Sequence, residues 1–180
     1  MTYAIKAPAR YAQGAGELAN LGRSAKKLGD KFLVICSDNS RGRFGAQVEA
    51  SLAEQEKEAV FTTFHGEATK DEVFSKMDEC RAQGCDVVVG MGGGKALDTA
   101  KAVAENLGLP CVIIPTVASN DAPCSGVAVL YNDAGVVIKA VLMRRNPDLV
   151  LVDTGIIANA PRRLFAAGLG DALSTWFEAR

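Results

Sequence analysis

A glycine-rich stretch between an apolar segment and a helix-like segment is the strongest chemical signal in this sequence. It reads VVVGMGGGKALDTAK over residues 87–101. Glycine can adopt positive φ and lets the backbone approach a ligand closely. A helix beginning near Lys95 would add N–H groups and the positive end of its dipole. We therefore predict that Gly92, Gly93 and Gly94, with Lys95 beside them, contact a phosphate group. The alternative is a tight strand-to-helix turn that binds nothing.

The spacing of this loop excludes two common phosphate-binding motifs. A Walker loop has four residues between its first glycine and a Gly-Lys pair, followed by Ser or Thr. Here Gly90 and Gly94 enclose three residues, and Ala96 follows Lys95. The dinucleotide fingerprint G-x-G-x-x-G, started at Gly90, would need a third glycine where Lys95 stands. The glycine loop is therefore a phosphate-binding candidate outside both motifs.

Two charged residues follow in the same predicted helix. A carboxylate one turn into a helix, as at Asp98, can either favour the positive end of the dipole or contact a ligand. Lys101 lies three residues further on, so the two side chains could also pair on the helix surface. All three interpretations of Asp98 remain open at this point.

A second polar loop follows the next apolar run. Residues 113–126, IIPTVASNDAPCSG, supply hydroxyls at Thr116, Ser119 and Ser125 and a carboxylate at Asp121. Loops at the carboxyl ends of neighbouring parallel strands face one crevice, where ligands bind. We therefore expect this loop and the glycine loop to face each other. The length of the connection favours a functional role over an ordinary polar loop with Asx and Ser turns.

The elements that would position these loops alternate along the chain. Strands are predicted at 32–37, 59–64, 86–90, 111–115 and 149–153, and helices at 43–57, 70–84 and 95–108. Strands of nearly continuous apolar residues between helices indicate a parallel sheet covered on both faces. The predicted fold class is therefore a doubly wound, mostly parallel, Rossmann-like α/β domain. Residues 125–143 add a predicted β-hairpin around the turn NDAG, and the chain reads as helical from Thr154 onward.

Composition narrows the possible partners and the location. The net charge of -1 provides no basic field for nucleic acid or an anionic membrane. No apolar run approaches the roughly 20 residues of a membrane helix, and the N-terminus lacks the apolar core of a signal peptide. The five cysteines contain no C-x-x-C pair and are expected to be reduced and mostly buried, in a cytoplasmic protein. They are Cys36, Cys80, Cys85, Cys111 and Cys124.

Three stretches together resemble the glycerol dehydrogenase family, within the metal-dependent polyol and iron-containing alcohol dehydrogenase superfamily. They are GMGGGKALDTAKA at 90–102, PTVASNDAPCSGVAVLY at 115–131 and NPDLVLVDTGIIANAPRRLFAAGLGDALSTWFEAR at 146–180. The resemblance covers essentially the whole chain, and the motifs agree in order and spacing.

The resemblance implies a binding site for NAD. Residues 92–98, Asp98 included, would hold the pyrophosphate and its surroundings. Asp38, after the first predicted sheet strand, would bind the adenine ribose, and its carboxylate would repel a 2′-phosphate and so favour NAD over NADP. Thr116 and Ser119 would line the cofactor. The residues near the nicotinamide end would be Ser125, Val127 and Tyr131.

The resemblance also implies a reaction. Asp121 would contact the polyol, and Asp171 would be the first protein ligand of a catalytic zinc. A divalent metal would lower the pKa of the substrate hydroxyl, and the alkoxide carbon would then release hydride to the nicotinamide. The implied reaction is NAD-dependent oxidation of glycerol, or a related small diol, to dihydroxyacetone by an enzyme that is a homo-oligomer at full length.

The sequence departs from the family pattern at the metal. The family's zinc site adds two histidines from a C-terminal helical domain, whereas His65 is the only histidine here and matches neither. One carboxylate falls short of three protein ligands. We therefore expect an NAD-binding domain at 1–160 and, at 161–180, the start of a truncated helical metal-binding domain, inactive by itself. An exposed apolar surface that promotes self-association is expected at Leu164, Phe165, Leu169, Leu173, Trp176 and Phe177.

Three other functions compete with this prediction. Dehydroquinate synthases and glycerol-1-phosphate dehydrogenases have this fold and similar glycine loops, but would need basic residues for a substrate phosphate. The segment ASNDAPCSG around Asp121 contains no Arg or Lys, which favours an uncharged polyol. A nucleotide-binding module without catalysis and a plain α/β scaffold with structural glycines are the remaining alternatives.

Overall fold

The computed structural model describes residues 6–178, which form a six-stranded sheet with helices on both faces and a separate two-stranded hairpin. The strands are β1 Tyr11–Gly14, β2 Lys31–Cys36, β3 Glu58–Thr63, β4 Val87–Gly92, β5 Cys111–Pro115, β6 Val127–Tyr131, β7 Val137–Leu142 and β8 Leu149–Asp153. A short 3₁₀ helix, Glu17–Asn20, precedes the α-helices. These are α1 Leu21–Ala25, α2 Asp38–Ala53, α3 Lys70–Gln83, α4 Gly94–Leu107, α5 Thr154–Ala158 and α6 Arg162–Glu178.

The strand order places a crevice at the centre of the sheet. The order is β1-β8-β5-β4-β2-β3, and every neighbouring pair is parallel. The chain moves from β2 outward to β3 and then crosses back to β4 on the other side of β2. Ligands of doubly wound sheets bind outside the carboxyl ends of the strands at such a reversal. The predicted fold class, the five predicted strands and the hairpin are confirmed, while the short edge strand β1 was not predicted.

Two apolar layers hold the helices on the sheet. Successive side chains of a strand point to opposite faces of the sheet. The central strands are buried at nearly every position, so both faces are covered by an apolar layer. One layer, packed under α3 and α4, includes Leu33, Ile35, Val88, Ile113 and Val150. The other, packed under α1 and α2, includes Phe32, Val34, Val87, Val89 and Val112. The layers fix where each helix begins relative to the crevice.

The ends of the helices follow local side-chain chemistry. Gly84 and Gly108 end α3 and α4 in the left-handed conformation, with φ of 66° and 69°, as the sequence predicted. The prediction that a helix begins at 43 was wrong, because α2 begins at Asp38. Ser37 caps it by accepting a hydrogen bond from the amide N–H of Ser40 at 3.2 Å. The five residues before the predicted start, 38–42, are therefore helical as well.

The hairpin lies on the outer side of α4. Strands β6 and β7 pair antiparallel, with Val127 opposite Leu142. Ala128 and Leu130 are buried in the same apolar layer as α4, whereas β7 is mostly exposed. The helix that begins at the glycine loop therefore contacts the sheet on one side and the hairpin on the other.

The last helix of the described residues has no buried side chain. The predicted exposure is confirmed for Phe165, Leu169, Leu173, Trp176 and Phe177, while Leu164 is partly buried. Among residues 6–178, no helix is both long enough and apolar enough to cross a lipid bilayer. All five cysteines are free, and only Cys124 is more than slightly exposed.

Candidate functional site

The three consecutive glycines join β4 to α4 without a left-handed turn. Gly92 ends the strand, Gly93 is the N-cap residue with φ -89° and ψ 178°, and Gly94 is the first helical residue. None of the three glycines has a positive φ, so the loop does not use this conformational freedom of glycine. At two of them, Gly92 and Gly94, a side chain would instead crowd its neighbours. A Cβ on Gly92 would lie 3.0 Å from the Cβ of Ala96, and one on Gly94 would lie 2.9 Å from the Nδ2 of Asn120.

A fourth glycine, which sequence reasoning assigned no role of its own, seats α4 on the sheet. A Cβ on Gly90 would lie 2.7 Å from the Cβ of Ala100 and 3.3 Å from the Cα of Leu97. The helix backbone therefore lies directly on β4. Small residues at 90, 96 and 100 are the sequence signal that could have revealed this contact. The close packing holds the start of α4 at the carboxyl edge of the sheet.

The start of α4 differs from those of its neighbours. Side chains of Ser37, Thr69 and Asp153 cap α2, α3 and α5, but Gly93 has no side chain to cap α4. The first-turn N–H groups of a helix need acceptors, and the helix dipole adds a partial positive charge there. A pyrophosphate would supply acceptors of the matching charge. The residues present at this position therefore fit the phosphate part of a dinucleotide.

The second loop lies beside the glycine loop, as the sequence predicted. Gly92 is paired with Pro115 across β4 and β5, and the amide of Thr116 donates to the carbonyl oxygen of Gly92 at 3.0 Å. The side chain of Asn120 lies against Gly94. Ser119, in the same loop, is partly buried. Polar groups of two neighbouring loops thus surround the start of α4.

A charged cluster covers one side of this site. Lys95 forms an ion pair with Glu67, and its Nζ lies 4.9 Å from the ring centre of Tyr131. The structure thereby joins two predicted cofactor residues. Sequence reasoning missed Glu67, which precedes Lys95 by 28 residues. Its Oε2 atom is buried and has no hydrogen-bond partner among the described residues, so an acceptor is available beside Lys95.

Asp38 lies across the reversal in strand order from the glycine loop. It is exposed in the first turn of α2, after β2, and β2 is the direct neighbour of β4. Its Oδ1 accepts a hydrogen bond from the Thr63 hydroxyl at 2.8 Å. The structure thus places Asp38 at the carboxyl edge of the sheet, and its contact with a ribose stays a prediction.

Asp98 and Lys101 form a buried ion pair. Of the three open interpretations, pairing with Lys101 is observed, but inside the protein and not on the helix surface: the two side chains are only 9% and 2% exposed, and their charged atoms are 2.8 Å apart. Asp98 Oδ2 also accepts a hydrogen bond from the amide of Val129 in β6, at 3.1 Å. Burial raises the pKa of the Asp98 carboxyl, and Lys101 opposes this rise only in part. A direct contact between Asp98 and a cofactor stays a prediction.

Helix α6 brings the two predicted aspartates together. The amide of Asp121 donates to Asp171 Oδ2 at 3.1 Å. A Cβ on Gly168 would lie 2.2 Å from the carbonyl oxygen of Ala118, so α6 lies directly on the backbone of the second loop. Sequence reasoning gave no role to Gly168. The helix therefore holds the loop segment that carries Asp121.

A shallow cavity of about 450 Å³ lies beside this contact. It is lined by Lys6, Asp121, Cys124, Ser125, Gly126, Val127, Leu142, Met143 and Asn146. Asp121 and two of the three residues predicted near the nicotinamide, Ser125 and Val127, thus line one cavity, whereas the third, Tyr131, does not line it. Lys6 was missed because it is far away in sequence.

The described residues do not fit a complete zinc site. Residues 6–178 contain no cluster of three or more His, Cys, Asp or Glu side chains that could hold a metal ion. His65 lies just after β3, at a strand end as predicted, and its Nδ1 is 2.9 Å from Oε2 of Glu72. Asp171 could contribute one ligand, which is fewer than the three protein ligands of a catalytic zinc site.

Comparison with known proteins identifies the family. The model of the iron-containing alcohol dehydrogenase family matches residues 8–154, and this chain therefore belongs to that family. It is 45% identical over its whole length to a glycerol dehydrogenase of Pseudomonas putida, covering 49% of that protein. It is 43% identical over 176 residues to one of Escherichia coli strain CFT073, covering 48% of it. The resemblance seen in the sequence is confirmed.

Solved structures agree with this assignment. A probable glycerol dehydrogenase from Sinorhizobium meliloti superimposes with a TM-score of 0.91 at 40% identity, covering 98% of this chain and 48% of that one. The glycerol dehydrogenase of Schizosaccharomyces pombe gives a TM-score of 0.91 at 32% identity, with 45% of its chain covered. The chain thus spans about half the length of the relatives that it matches.

Proposed function

We propose that this chain supplies the cofactor-binding half of an enzyme that oxidises glycerol, or a related small diol, to dihydroxyacetone with NAD. The observation that carries the proposal is the uncapped, glycine-lined start of α4 at the reversal in strand order, with a second polar loop directly beside it. Relatives named as glycerol dehydrogenases, at 43% and 45% identity, supply the substrate and reaction class.

The proposed binding mode follows the edge of the sheet. Gly92, Gly93 and Gly94 would leave room for the pyrophosphate, whose charge the first turn of α4 would bind. Lys95 would approach the cofactor from one side, beside Tyr131. Asp38 would accept hydrogen bonds from the adenine ribose. The other proposed contacts are Asp98 on α4, Thr116, Ser119 and Ser125 in the second loop, and Val127 at the start of the hairpin.

The proposed substrate position is the cavity beside Asp121. A carboxylate there can accept hydrogen bonds from the hydroxyls of a polyol. Asp171 is the proposed first ligand of a zinc ion, whose remaining ligands the described residues do not supply. Residues 161–180 would then begin a helical metal-binding part, following an NAD-binding domain at 1–160. We also propose a homo-oligomeric enzyme and a cytoplasmic location, the latter supported by five free thiols.

The position of Lys6 favours one alternative function. An ammonium group near Asp121 would suit a substrate that carries a phosphate, as in glycerol-1-phosphate dehydrogenases or dehydroquinate synthases. Inhibition of glycerol oxidation by glycerol 1-phosphate, measured with the fused protein described below, that disappears when the fusion carries Lys6→Ala would favour this alternative. Glycerol oxidation that is unaffected by the phosphate ester would favour the uncharged polyol.

Calorimetric titration with NADH tests cofactor binding by this chain. We expect saturable binding that is weakened by about tenfold or more in Gly93→Val. A Cβ at Gly93 would already lie 3.5 Å from Val117 Cγ2, so the branched side chain should narrow the space between the two loops and move the pyrophosphate away from an N–H group. A hydrogen bond to a charged group contributes about 1.5–3 kcal/mol. Gly42→Val is the matched control, since a Cβ at the exposed Gly42 meets no atom within 4 Å. No binding by the unaltered chain, or equal binding by Gly93→Val, would contradict the proposal.

A fused protein tests the reaction. We expect no glycerol oxidation by the 180-residue chain alone. Joined to the C-terminal half of the Pseudomonas putida relative, it should reduce NAD in the presence of glycerol and zinc. The same fusion carrying Asp171→Asn is the control, and activity of the chain alone would refute the proposed division into halves.

A further inference from the structure

Lys101 has more polar contacts than its ion pair requires. Its side chain is 2% exposed, and its Nζ lies 2.8 Å from Asp98 Oδ1. The same ammonium donates to the carbonyl of Ala122 at 2.9 Å, approaches the Ser125 hydroxyl at 3.3 Å and donates to the carbonyl of Val127. These last three oxygens belong to the second loop and the start of the hairpin. The lysine therefore connects α4 to the segment that lines the proposed substrate cavity.

A second buried lysine shows what an ordinary structural pair looks like here. The side chain of Lys76 on α3 is also 2% exposed, and it pairs with Glu79 at 2.8 Å and, more distantly, with Glu72. Both partners lie on its own helix. Burying a charge is costly unless it is paired, and carboxylates of the same helix are sufficient for Lys76. Lys101 differs because most of its partners lie on another element.

Helix α4 connects the proposed pyrophosphate site to the loop that Lys101 contacts. Gly94, at the proposed pyrophosphate site, and Lys101 are seven residues apart on α4, which corresponds to about 10 Å along the helix axis at 1.5 Å per residue. The close seating of the helix on Gly90 prevents it from sliding along β4. The position of the loop that Lys101 holds is therefore fixed relative to the glycine loop.

We propose that Lys101 is a positioning residue that holds Ser125, Val127 and the neighbouring Asp121 segment at the nicotinamide end of the cofactor site. This inference rests on the function proposed above. Lys101 does not contact the cofactor itself, since its ammonium is surrounded by protein oxygens. It acts by fixing the loop at a set distance from the pyrophosphate.

Comparing NADH with ADP-ribose tests this role, because ADP-ribose lacks the nicotinamide. Lys101→Met should weaken NADH binding by about tenfold while changing the affinity for ADP-ribose by less than about twofold, where tenfold is a difference of 1.4 kcal/mol. Lys76→Met is the control: it also removes a buried lysine from its carboxylate partners, Glu72 and Glu79, but it should leave the NADH to ADP-ribose affinity ratio unchanged. Hydrogen exchange of residues 122–129 should increase only in Lys101→Met.

Lys101→Arg provides a second variant if Lys101→Met does not fold. It keeps a charge opposite Asp98, but a planar guanidinium cannot reproduce the contacts of a compact ammonium. We expect the NADH to ADP-ribose affinity ratio to change in the same direction as in Lys101→Met, but by less. An unchanged ratio in the folded Lys101 variants, or an equal change in Lys76→Met, would overturn the inference and leave the proposed function intact. A chain that binds neither ligand would overturn both.

Discussion

Two glycines on α6 have opposite surroundings and offer a sharp test of how this helix is seated. A Cβ on Gly168 would lie 2.2 Å from the carbonyl oxygen of Ala118 and 3.0 Å from its carbonyl carbon, whereas a Cβ on Gly170 would meet no atom within 4 Å. Both residues lie inside the helix, and neither has a positive φ. Alanine at the two positions therefore differs only in what the added methyl group contacts.

The expected energies follow from this difference. Replacing glycine by alanine inside a helix stabilises it by about 1 kcal/mol, and both variants gain this amount. In Gly168→Ala the methyl group overlaps backbone atoms, which cannot rotate away as a side chain can, and such overpacking costs about 1–3 kcal/mol. Gly170→Ala should therefore be more stable than Gly168→Ala by about 1–3 kcal/mol in the free energy of unfolding.

Urea unfolding followed by circular dichroism would measure this difference. In Gly168→Ala the helix must also move away from the second loop, so the hydrogen bond from the Asp121 amide to Asp171 should be lost. Hydrogen exchange at the Asp121 amide should accordingly become faster in Gly168→Ala and stay unchanged in Gly170→Ala. Two variants of equal stability, with equal exchange at Asp121, would refute the seating of α6 on the loop.

Two further predictions concern pH and association. Burial raises the pKa of Cys36 and Cys85 to about 11 and of Cys111 to about 12, from an ordinary value of 9.0. The folded chain then holds protons that the unfolded chain has lost. The contribution of these thiols to the free energy of unfolding should therefore be constant below pH 9 and fall above it, by up to about 1.4 kcal/mol per pH unit for each thiol, until its folded pKa is reached. Urea unfolding at several alkaline pH values checks this, and a flat profile contradicts it. Light scattering should show self-association that is reduced by Phe165→Ser but not by Phe74→Ser, since these side chains are 53% and 57% exposed on α6 and α3. A monomer at high concentration would exclude this contact.

The local elements of the fold could be predicted because their signals are local. Val87, Val88 and Val89 form a buried run between glycine-terminated helices, and this pattern is typical of a central parallel strand. The start of α2 was misplaced because the segment DNSRG at 38–42 is polar and contains glycine, which is also typical of a loop. The side-chain cap at Ser37 marks the start of the helix. It could not be recognised from the sequence because serine is also common in loops.

The contacts that build the site are not local, which is why their roles could not be predicted. The spacing of Asp98 and Lys101 shows that they share a helix face, but not whether that face is covered. Strand β6 covers it, and the amide of Val129 in that strand is 31 residues from Asp98. The same spacing on an uncovered face would give an exposed pair that contributes little to stability. The ammonium of a buried pair has further N–H groups that need acceptors, so Lys101 donates to carbonyl oxygens of the loop and of the hairpin start. Burial of this pair under the hairpin is therefore what connects Lys101 on α4 to the loop that lines the candidate substrate cavity.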